Sequence, residues 1–169
     1  RTDPHVLIER ILNRYFTAMT EALYAHDGTI DKFLGDGIIG VFGSPITHPD
    51  DPERGLQAAV SMQRAFADLA CQWRQELGID VGMGIGVSYG RAVVGNIGSE
   101  QRQDYTLIGD VVNTASRLSG LAKAGQVIVS YHLRDALSGP IALPYQLTPL
   151  EPVSLRGKEG MHRVFEVVY

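Results

Sequence analysis

An asparagine and an arginine four residues apart are the clearest sign of chemistry in this sequence. Asn113 and Arg117 lie in the run Asp110-Val-Val-Asn-Thr-Ala-Ser-Arg117, just after a short apolar stretch that is predicted to be a strand. On a helix, positions i and i+4 share a face, so the two side chains project together. Asp110 occupies the position where an N-cap would accept the first free amides. An amide and a guanidinium beside a helix N-terminus suit a polyphosphate, although the same spacing also fits a solvated amphipathic helix.

A second candidate segment is Asp31-Lys-Phe-Leu-Gly-Asp36. Because side chains alternate along a strand, Ile30, Lys32 and Leu34 are predicted to share one face, which places a lysine between apolar neighbours. Lys32 either extends its amine to the rim of that face or reaches an acceptor on a ligand. Asp36 is an ordinary residue for a hairpin turn. An exposed carboxylate at a tight turn is also a suitable ligand for Mg²⁺.

The apolar periodicity predicts the elements that would position these residues. Helices are expected from Asp3-Pro4 to about Asp27, from Asp50 to about Leu77, at the segment with Asn113 and Arg117, and from Tyr131 to Leu137. Strands are expected at Thr29 to Leu34, Gly37 to Phe42, Asp80 to Ser88, Arg91 to Ile97, Tyr105 to Ile108, Gln126 to Ser130, Val153 to Leu155 and His162 to Val168.

The connections between these elements indicate the fold class. Gly35-Asp36 has the format of a two-residue hairpin turn, Tyr89-Gly90 is a second predicted turn, and Pro140 to Pro152 is expected to be irregular. Hairpins mixed with packed helices predict an α+β fold with a largely antiparallel sheet.

Composition limits the class of protein. The 169 residues are 44% hydrophobic and 20% charged, which is typical of one globular domain with enough core to fold. The net charge of -4 argues against a nucleic-acid binder, which usually has a basic excess. Cys71 is the single cysteine and is predicted to be a small buried side chain. Since it leaves no disulfide to form, a reducing compartment, the cytoplasm, is expected. No apolar run approaches the roughly 20 residues of a membrane span.

Four ordered motifs extend through essentially the whole chain. They are Asp31-Lys-Phe-Leu-Gly-Asp36 with Val41-Phe-Gly-Ser-Pro45, Gly84-Ile-Gly-Val-Ser-Tyr-Gly-Arg91 with Gly95-Asn-Ile-Gly98, Tyr105-Thr-Leu-Ile-Gly-Asp-Val-Val-Asn-Thr-Ala-Ser-Arg117, and Leu155-Arg-Gly-Lys158. Together they resemble the catalytic domain of the class III nucleotidyl cyclases, specifically bacterial-type adenylate cyclases. The resemblance implies an α+β domain with a ferredoxin-like core. It also implies a head-to-tail homodimer with two active sites shared at its interface.

The resemblance also implies roles for individual residues. Asn113 and Arg117 match the catalytic residues that position the ribose and stabilise the pentavalent phosphorus. Arg91 matches an arginine that contacts phosphate from the metal side, and Lys158 matches a lysine that meets the outer phosphates from the opposing side.

Lys32 and Thr106 match the pair that selects the purine. A lysine ammonium can only donate hydrogen bonds and a threonine hydroxyl can accept one, so the pair complements the N1 acceptor and N6 donor of adenine. Guanine presents the reverse pattern on that edge. ATP is therefore the expected substrate, converted to 3′,5′-cyclic AMP and pyrophosphate.

Asp36 matches one of two aspartates that hold two Mg²⁺ or Mn²⁺ ions. The other metal aspartate is expected on a strand upstream of Arg1, so this stretch alone is expected to be inactive or poorly folded. The alternative function is a catalytically inactive nucleotide-sensing or dimerisation module with the cyclase fold. Regulatory domains are expected in the full-length protein.

Overall fold

The computed structural model describes residues 3–137 and 143–169, with the side chains of residues 97 and 102–106 left out. The chain forms two compact units, Arg1–Met83 and Gly84–Tyr169. The first unit contains α1 (Pro4–Ala25), β1 (Thr29–Leu34), β2 (Gly37–Val41) and α2 (Asp51–Leu77). The second contains β3 (Ile85–Val87), β4 (Val93–Ser99), β5 (Arg102–Ile108), α3 (Asp110–Leu121), β6 (Val127–Ser130), α4 (Tyr131–Ala136), β7 (Gln146–Pro149), β8 (Val153–Ser154), β9 (Met161–His162) and β10 (Val164–Val168).

The first unit is built on the packing of α1 against α2. As predicted, α1 begins after Asp3, whose carboxylate accepts a hydrogen bond from the amide of His5 at 2.9 Å. The ring of Tyr15 on α1 meets the ring of Phe66 on α2 edge to face, with centroids 5.8 Å apart. Phe16 contacts Phe33 with ring centroids 4.7 Å apart, which attaches β1 to α1. This packing fixes the hairpin that carries two of the candidate residues.

The β1–β2 hairpin confirms the predicted two-residue turn. Leu34 pairs with Gly37 across the turn, and Gly35 adopts a φ of 60°, which suits a residue without a side chain. The register shifts between Ile30 and Lys32, so a β-bulge interrupts the strand there. The predicted alternation of Ile30, Lys32 and Leu34 on one face is therefore broken, because an extra residue in one strand disturbs the two-residue period.

The second unit has a four-stranded sheet in the order β3-β6-β10-β7, in which β3 pairs with β6 in parallel and the other pairs are antiparallel. The crossover between β3 and β6 contains α3, which packs on the sheet through Leu118. A Cβ on Gly86 would overlap the carbonyl oxygen of Ala115 and the amide nitrogen of Ser119, so glycine allows α3 to approach β3 closely. The helix with Asn113 and Arg117 is thus held directly against the sheet.

The predicted α+β class with mainly antiparallel sheets packed by helices is confirmed. Several strand assignments need correction. The strand predicted from Asp80 to Ser88 covers only Ile85–Val87, and β4 pairs with β5 while β3 pairs with β6. Residues Gln146–Pro149, within the stretch predicted to be irregular, form β7 along β10, because pairing with a buried strand overrides weak local propensity. Residues 140–142 of that stretch lie outside the described residues.

Cys71 is exposed, so its predicted burial is wrong. Trp73, two residues further along α2, is buried instead. Residues two positions apart on a helix point in different directions, so Cys71 and Trp73 cannot both face the core. Over residues 3–137 and 143–169, no helix has the length and apolar character needed to cross a bilayer.

Candidate functional site

A cavity of about 530 Å³ lies in the second unit, where several candidate residues meet. Its wall is formed by the loop after β3, the first turns of α3, the end of β6 with α4, and the loop after β8. Its lining includes the polar residues Ser88, Arg91, Asp110, Thr114, Ser130, His132, Asp135 and Lys158. A cavity of this size is within the usual range for sites that bind small molecules.

The first turn of α3 anchors the cavity. Gly109 is the N-cap and Asp110 is the first helical residue, so the predicted N-cap role of Asp110 is wrong. The side chain of Asp110 instead forms an ion pair with Lys158, whose Nζ is 2.6 Å from Oδ2. The hydroxyl of Ser88 donates a hydrogen bond to the carbonyl of Val111, which joins the loop after β3 to the same turn. The cavity wall is therefore tied together at the N-terminus of α3.

Thr114 is a cavity residue that the sequence analysis missed. It is 6% exposed, and its Oγ1 atom has no hydrogen-bond partner among the described residues. A buried hydroxyl left unsatisfied is unfavourable by about 1–3 kcal/mol, so Thr114 provides the cavity wall with a polar atom suited to a ligand oxygen. The signal that would have found it is its position four residues after Asp110, on the same helix face.

Arg91 and Lys158 lie on the wall of the same cavity in one chain. The sequence resemblance instead assigns them to opposite sides of a site shared between two chains, so their meeting within one chain was not expected. Two cations around one cavity, one of them a guanidinium that can bind two oxygens at once, form a suitable environment for a phosphate chain.

Asn113 and Arg117 both lie on α3, as predicted. Asn113 is exposed, whereas Arg117 is partly buried. The guanidinium of Arg117 lies against Gly157, where an added Cβ would be 3.2 Å from Nη2, and Gly157 has a φ of 83°. Arg117 therefore contacts the loop that carries Lys158. The backbone of that loop is closed by a hydrogen bond from the amide of Lys158 to the carbonyl of Leu155 at 3.0 Å.

Lys32 and Asp36 lie on the hairpin of the first unit. The Nζ atom of Lys32 is 3.7 Å from Oδ2 of the mostly buried Asp31, and the lysine side chain is half-exposed. Asp36 is exposed in the turn. The hairpin therefore presents the Lys32 ammonium and the Asp36 carboxylate at its surface.

The charge of Asp36 also affects Tyr15 on α1. Burial raises the pKa of the Tyr15 hydroxyl above its usual value, and the negative charge of Asp36 raises that pKa further.

Thr106 lies in β5, where its backbone pairs with that of Gly95. Its side chain is outside the described part of the structure. Its role as the partner of Lys32 in purine selection stays a prediction.

The two metal ions that the resemblance implies would need several carboxylates close together. In the part of the chain that the structure describes, no group of three or more His, Cys, Asp or Glu side chains is arranged to hold a metal ion. Asp36 offers a single carboxylate, whereas hard divalent ions prefer several oxygen ligands. The described residues alone therefore do not fit a two-metal site.

The comparison with known families decides the classification. Residues 1–166 match the family of adenylate and guanylate cyclase catalytic domains. The chain belongs to this family. Asp36, Arg91, Arg117 and Lys158 all lie within the matched range.

Two solved cyclase structures and one mycobacterial protein are similar to this chain. The adenylyl cyclase CyaB from P. aeruginosa is 28% identical, with a TM-score of 0.87, and the match covers 100% of this chain and 85% of that one. The guanylyl cyclase Cya2 is 33% identical, with a TM-score of 0.82, over 98% of this chain and 82% of that one. The uncharacterized protein Rv1319c of Mycobacterium tuberculosis is 37% identical over 164 residues, which are 96% of this chain and 29% of that protein. The cyclase domain thus spans less than a third of the length of this relative.

Proposed function

We propose that this cyclase domain converts ATP to 3′,5′-cyclic AMP and pyrophosphate in cytoplasmic signal transduction. In the reaction, the ribose 3′-hydroxyl gives its proton to solvent water and the oxygen attacks the α-phosphorus. The bond from that phosphorus to the pyrophosphate oxygen breaks, and pyrophosphate leaves. The observation that carries the proposal is the cavity where Arg91 and Lys158 meet.

The cations of the second unit are assigned to the triphosphate. Arg91 contacts phosphate and Lys158 binds the outer phosphates, and such charge-assisted hydrogen bonds are stronger than neutral ones. Arg117 stabilises the charge that develops at the α-phosphorus, and Asn113 orients the ribose from the same helix face. Preorganised donors of this kind are typically worth about 3–4 kcal/mol each in the transition state.

The choice of ATP over GTP is assigned to Lys32 and Thr106. Lys32 donates to N1 of adenine, and Thr106 accepts from the N6 amino group. A mispaired polar group in a buried site is unfavourable by about 1–3 kcal/mol, which corresponds to roughly 5- to 150-fold discrimination against guanine. The similar solved structures include an adenylyl cyclase and a guanylyl cyclase, so the choice of purine is an assignment separate from that of the family.

The complete site is proposed to form between two copies of the chain. Asp36 of one protomer would then serve the triphosphate bound by the partner's Lys32. We expect two Mg²⁺ or Mn²⁺ ions at the shared site, with Asp36 as one of their ligands. Regulatory domains elsewhere in the full-length protein are proposed to control the arrangement of the two protomers.

A second candidate function is a catalytically inactive module that binds a nucleotide or dimerises. The observation that favours it is the single carboxylate at the hairpin turn, which is insufficient for a two-metal site. Such a module would bind ATP through the cavity and release no cyclic product.

Product analysis of the full-length protein tests the proposed function. We expect chromatography to show cyclic AMP from ATP in the presence of Mg²⁺ or Mn²⁺, with GTP turned over at least about 5-fold more slowly. Asp36→Ala should abolish turnover because it removes a metal ligand. Asp68→Ala, which removes an exposed carboxylate on α2, should retain turnover. ATP binding without product would favour the inactive module, and cyclic GMP as the main product would refute the assignment of Lys32 and Thr106.

A further inference from the structure

Lys158 has a protein anion as its partner at the cavity. Its Nζ atom is 2.6 Å from Oδ2 of Asp110, and its side chain is only 23% exposed. The side chain of Asp110 is 66% exposed and lies on the wall of the same cavity. An outer phosphate that enters the cavity would therefore meet a lysine whose charge is already balanced by a carboxylate.

The backbone around both residues is held in place. Asp110 begins α3, where the helix dipole favours a negative charge. Lys158 ends a turn that is closed by its own amide hydrogen bond to Leu155 and contains Gly157 with a φ of 83°. Lys158 could therefore leave Asp110 for a phosphate by a movement of its side chain alone, which has four rotatable carbon–carbon bonds, while the backbone stays in place.

The cavity also has a place for the ligand that would compete with Asp110. The unsatisfied hydroxyl of Thr114 lies one helical turn from Asp110, and Arg91 is on the same wall. Lys158 lines the same cavity, so the two cations and the Thr114 side chain are available to one phosphate group. Asp110 is the only one of the four that would repel it.

We propose that Asp110 is a positioning residue that acts through Lys158. Its carboxylate holds the lysine ammonium at the cavity wall and competes with the outer phosphates for it, which weakens the binding of pyrophosphate and speeds its release after each turnover. This inference rests on the proposed function, because it takes Lys158 to be a phosphate-binding residue.

The test measures pyrophosphate affinity by titration calorimetry in the full-length protein at a fixed Mg²⁺ concentration. Asp110→Asn is expected to tighten pyrophosphate binding by about two- to five-fold, the range that partly exposed ion pairs produce. Asp110→Glu keeps a carboxylate within reach of Lys158 and is expected to restore an affinity near that of the wild type.

Three further variants, Lys158→Met, Asp135→Asn and Arg156→Met, separate competition for Lys158 from a general effect of charge. In a Lys158→Met background, the gain from Asp110→Asn should fall to less than half, because the lysine that the carboxylate controls is gone. Asp135→Asn removes another carboxylate of the cavity wall, whose Oδ1 atom is 3.9 Å from Nη1 of Arg134. This variant should change the pyrophosphate affinity by less than two-fold. Arg156→Met removes a different cation from the loop that carries Lys158. It is therefore the control for a general loss of positive charge in that loop.

The outcomes distinguish failure of the inference from failure of its premise. If Lys158→Met leaves pyrophosphate affinity unchanged, Lys158 does not bind phosphate, and both the proposed role of Lys158 and the inference are overturned. If Lys158→Met weakens binding but Asp110→Asn gives no gain, the role of Lys158 stands and the inference alone fails. An equal gain from Asp110→Asn with and without Lys158 would also overturn it, since the carboxylate would then act by simple repulsion.

Discussion

Asp36 and Tyr15 are linked electrostatically within the first unit. Tyr15 packs between α1 and α2, and burial raises the pKa of its hydroxyl above the usual value of 10.0. The charge of Asp36 raises that pKa further, because a neighbouring carboxylate disfavours the negatively charged tyrosinate. Tyr15 can therefore report on the charge at the predicted metal ligand without any measurement of activity.

Asp36→Asn is predicted to lower the pKa of Tyr15 while leaving it above 10.0, because burial is the larger cause and remains. The measurement is a pH titration followed by NMR of ¹³Cζ-labelled tyrosines, with Tyr15→Phe identifying the signal. Asp68→Asn, on the exposed side of α2, should leave the titration unchanged. An unchanged Tyr15 titration in Asp36→Asn would show that the carboxylate does not influence the hydroxyl.

At the scale of elements, the contact between α3 and β3 positions the catalytic candidates. Gly86 is the point of closest approach, since the backbone of α3 at Ala115 and Ser119 occupies the space that a side chain would need. Asn113 and Arg117 are carried by the same helix. Any displacement of α3 would therefore move both of them relative to the cavity.

Gly86→Ala is predicted to destabilise the protein by about 1–3 kcal/mol, because the methyl group would overlap helix backbone that cannot rotate away. Gly120→Ala is the matched control on α3, where a Cβ would meet nothing within 4 Å. It should raise stability by about 0.5–1 kcal/mol, since alanine loses less conformational entropy than glycine in a helix. Denaturant-induced unfolding followed by circular dichroism measures both changes. A neutral Gly86→Ala would contradict the close packing of α3 on β3.

At the scale of the whole molecule, the proposed homodimer divides each active site between two chains. Asp36 and Arg117 would then contribute to the same reaction from different protomers. A protein with one of them missing would be inactive alone, yet able to complement a protein that lacks the other.

Mixing Asp36→Ala with Arg117→Ala chains is predicted to restore about a quarter of the wild-type activity, because random exchange makes half of the dimers mixed and each mixed dimer keeps one of its two sites. The assay is cyclic AMP production after subunit exchange. In the control mixture, Asp36→Ala is combined with an Asp36→Ala/Arg117→Ala double variant, which leaves no intact site. Absence of rescue despite demonstrated exchange would exclude shared sites.

Local pattern was sufficient for much of this fold. The helical period and the capping residue Asp3 predicted α1, and Gly35-Asp36 predicted the β1–β2 turn, because these features depend on neighbouring residues. The candidate residues on α3 were also found from their spacing. The bulge between Ile30 and Lys32 and the exposure of Cys71 were missed, since both depend on what packs against the segment.

The sequence by itself determined the family, the α+β class and the placement of Asn113 and Arg117 on one helix, because motifs and periodicity act over short distances along the chain. Only the tertiary structure decided that Lys158 pairs with Asp110, that Thr114 faces a cavity without a hydrogen-bond partner, and that Gln146–Pro149 becomes a strand. The ion pair and the strand pairing join residues that are distant in sequence, and the missing hydrogen bond of Thr114 depends on its burial. Such contacts arise from the packing of whole elements, which local propensity does not encode.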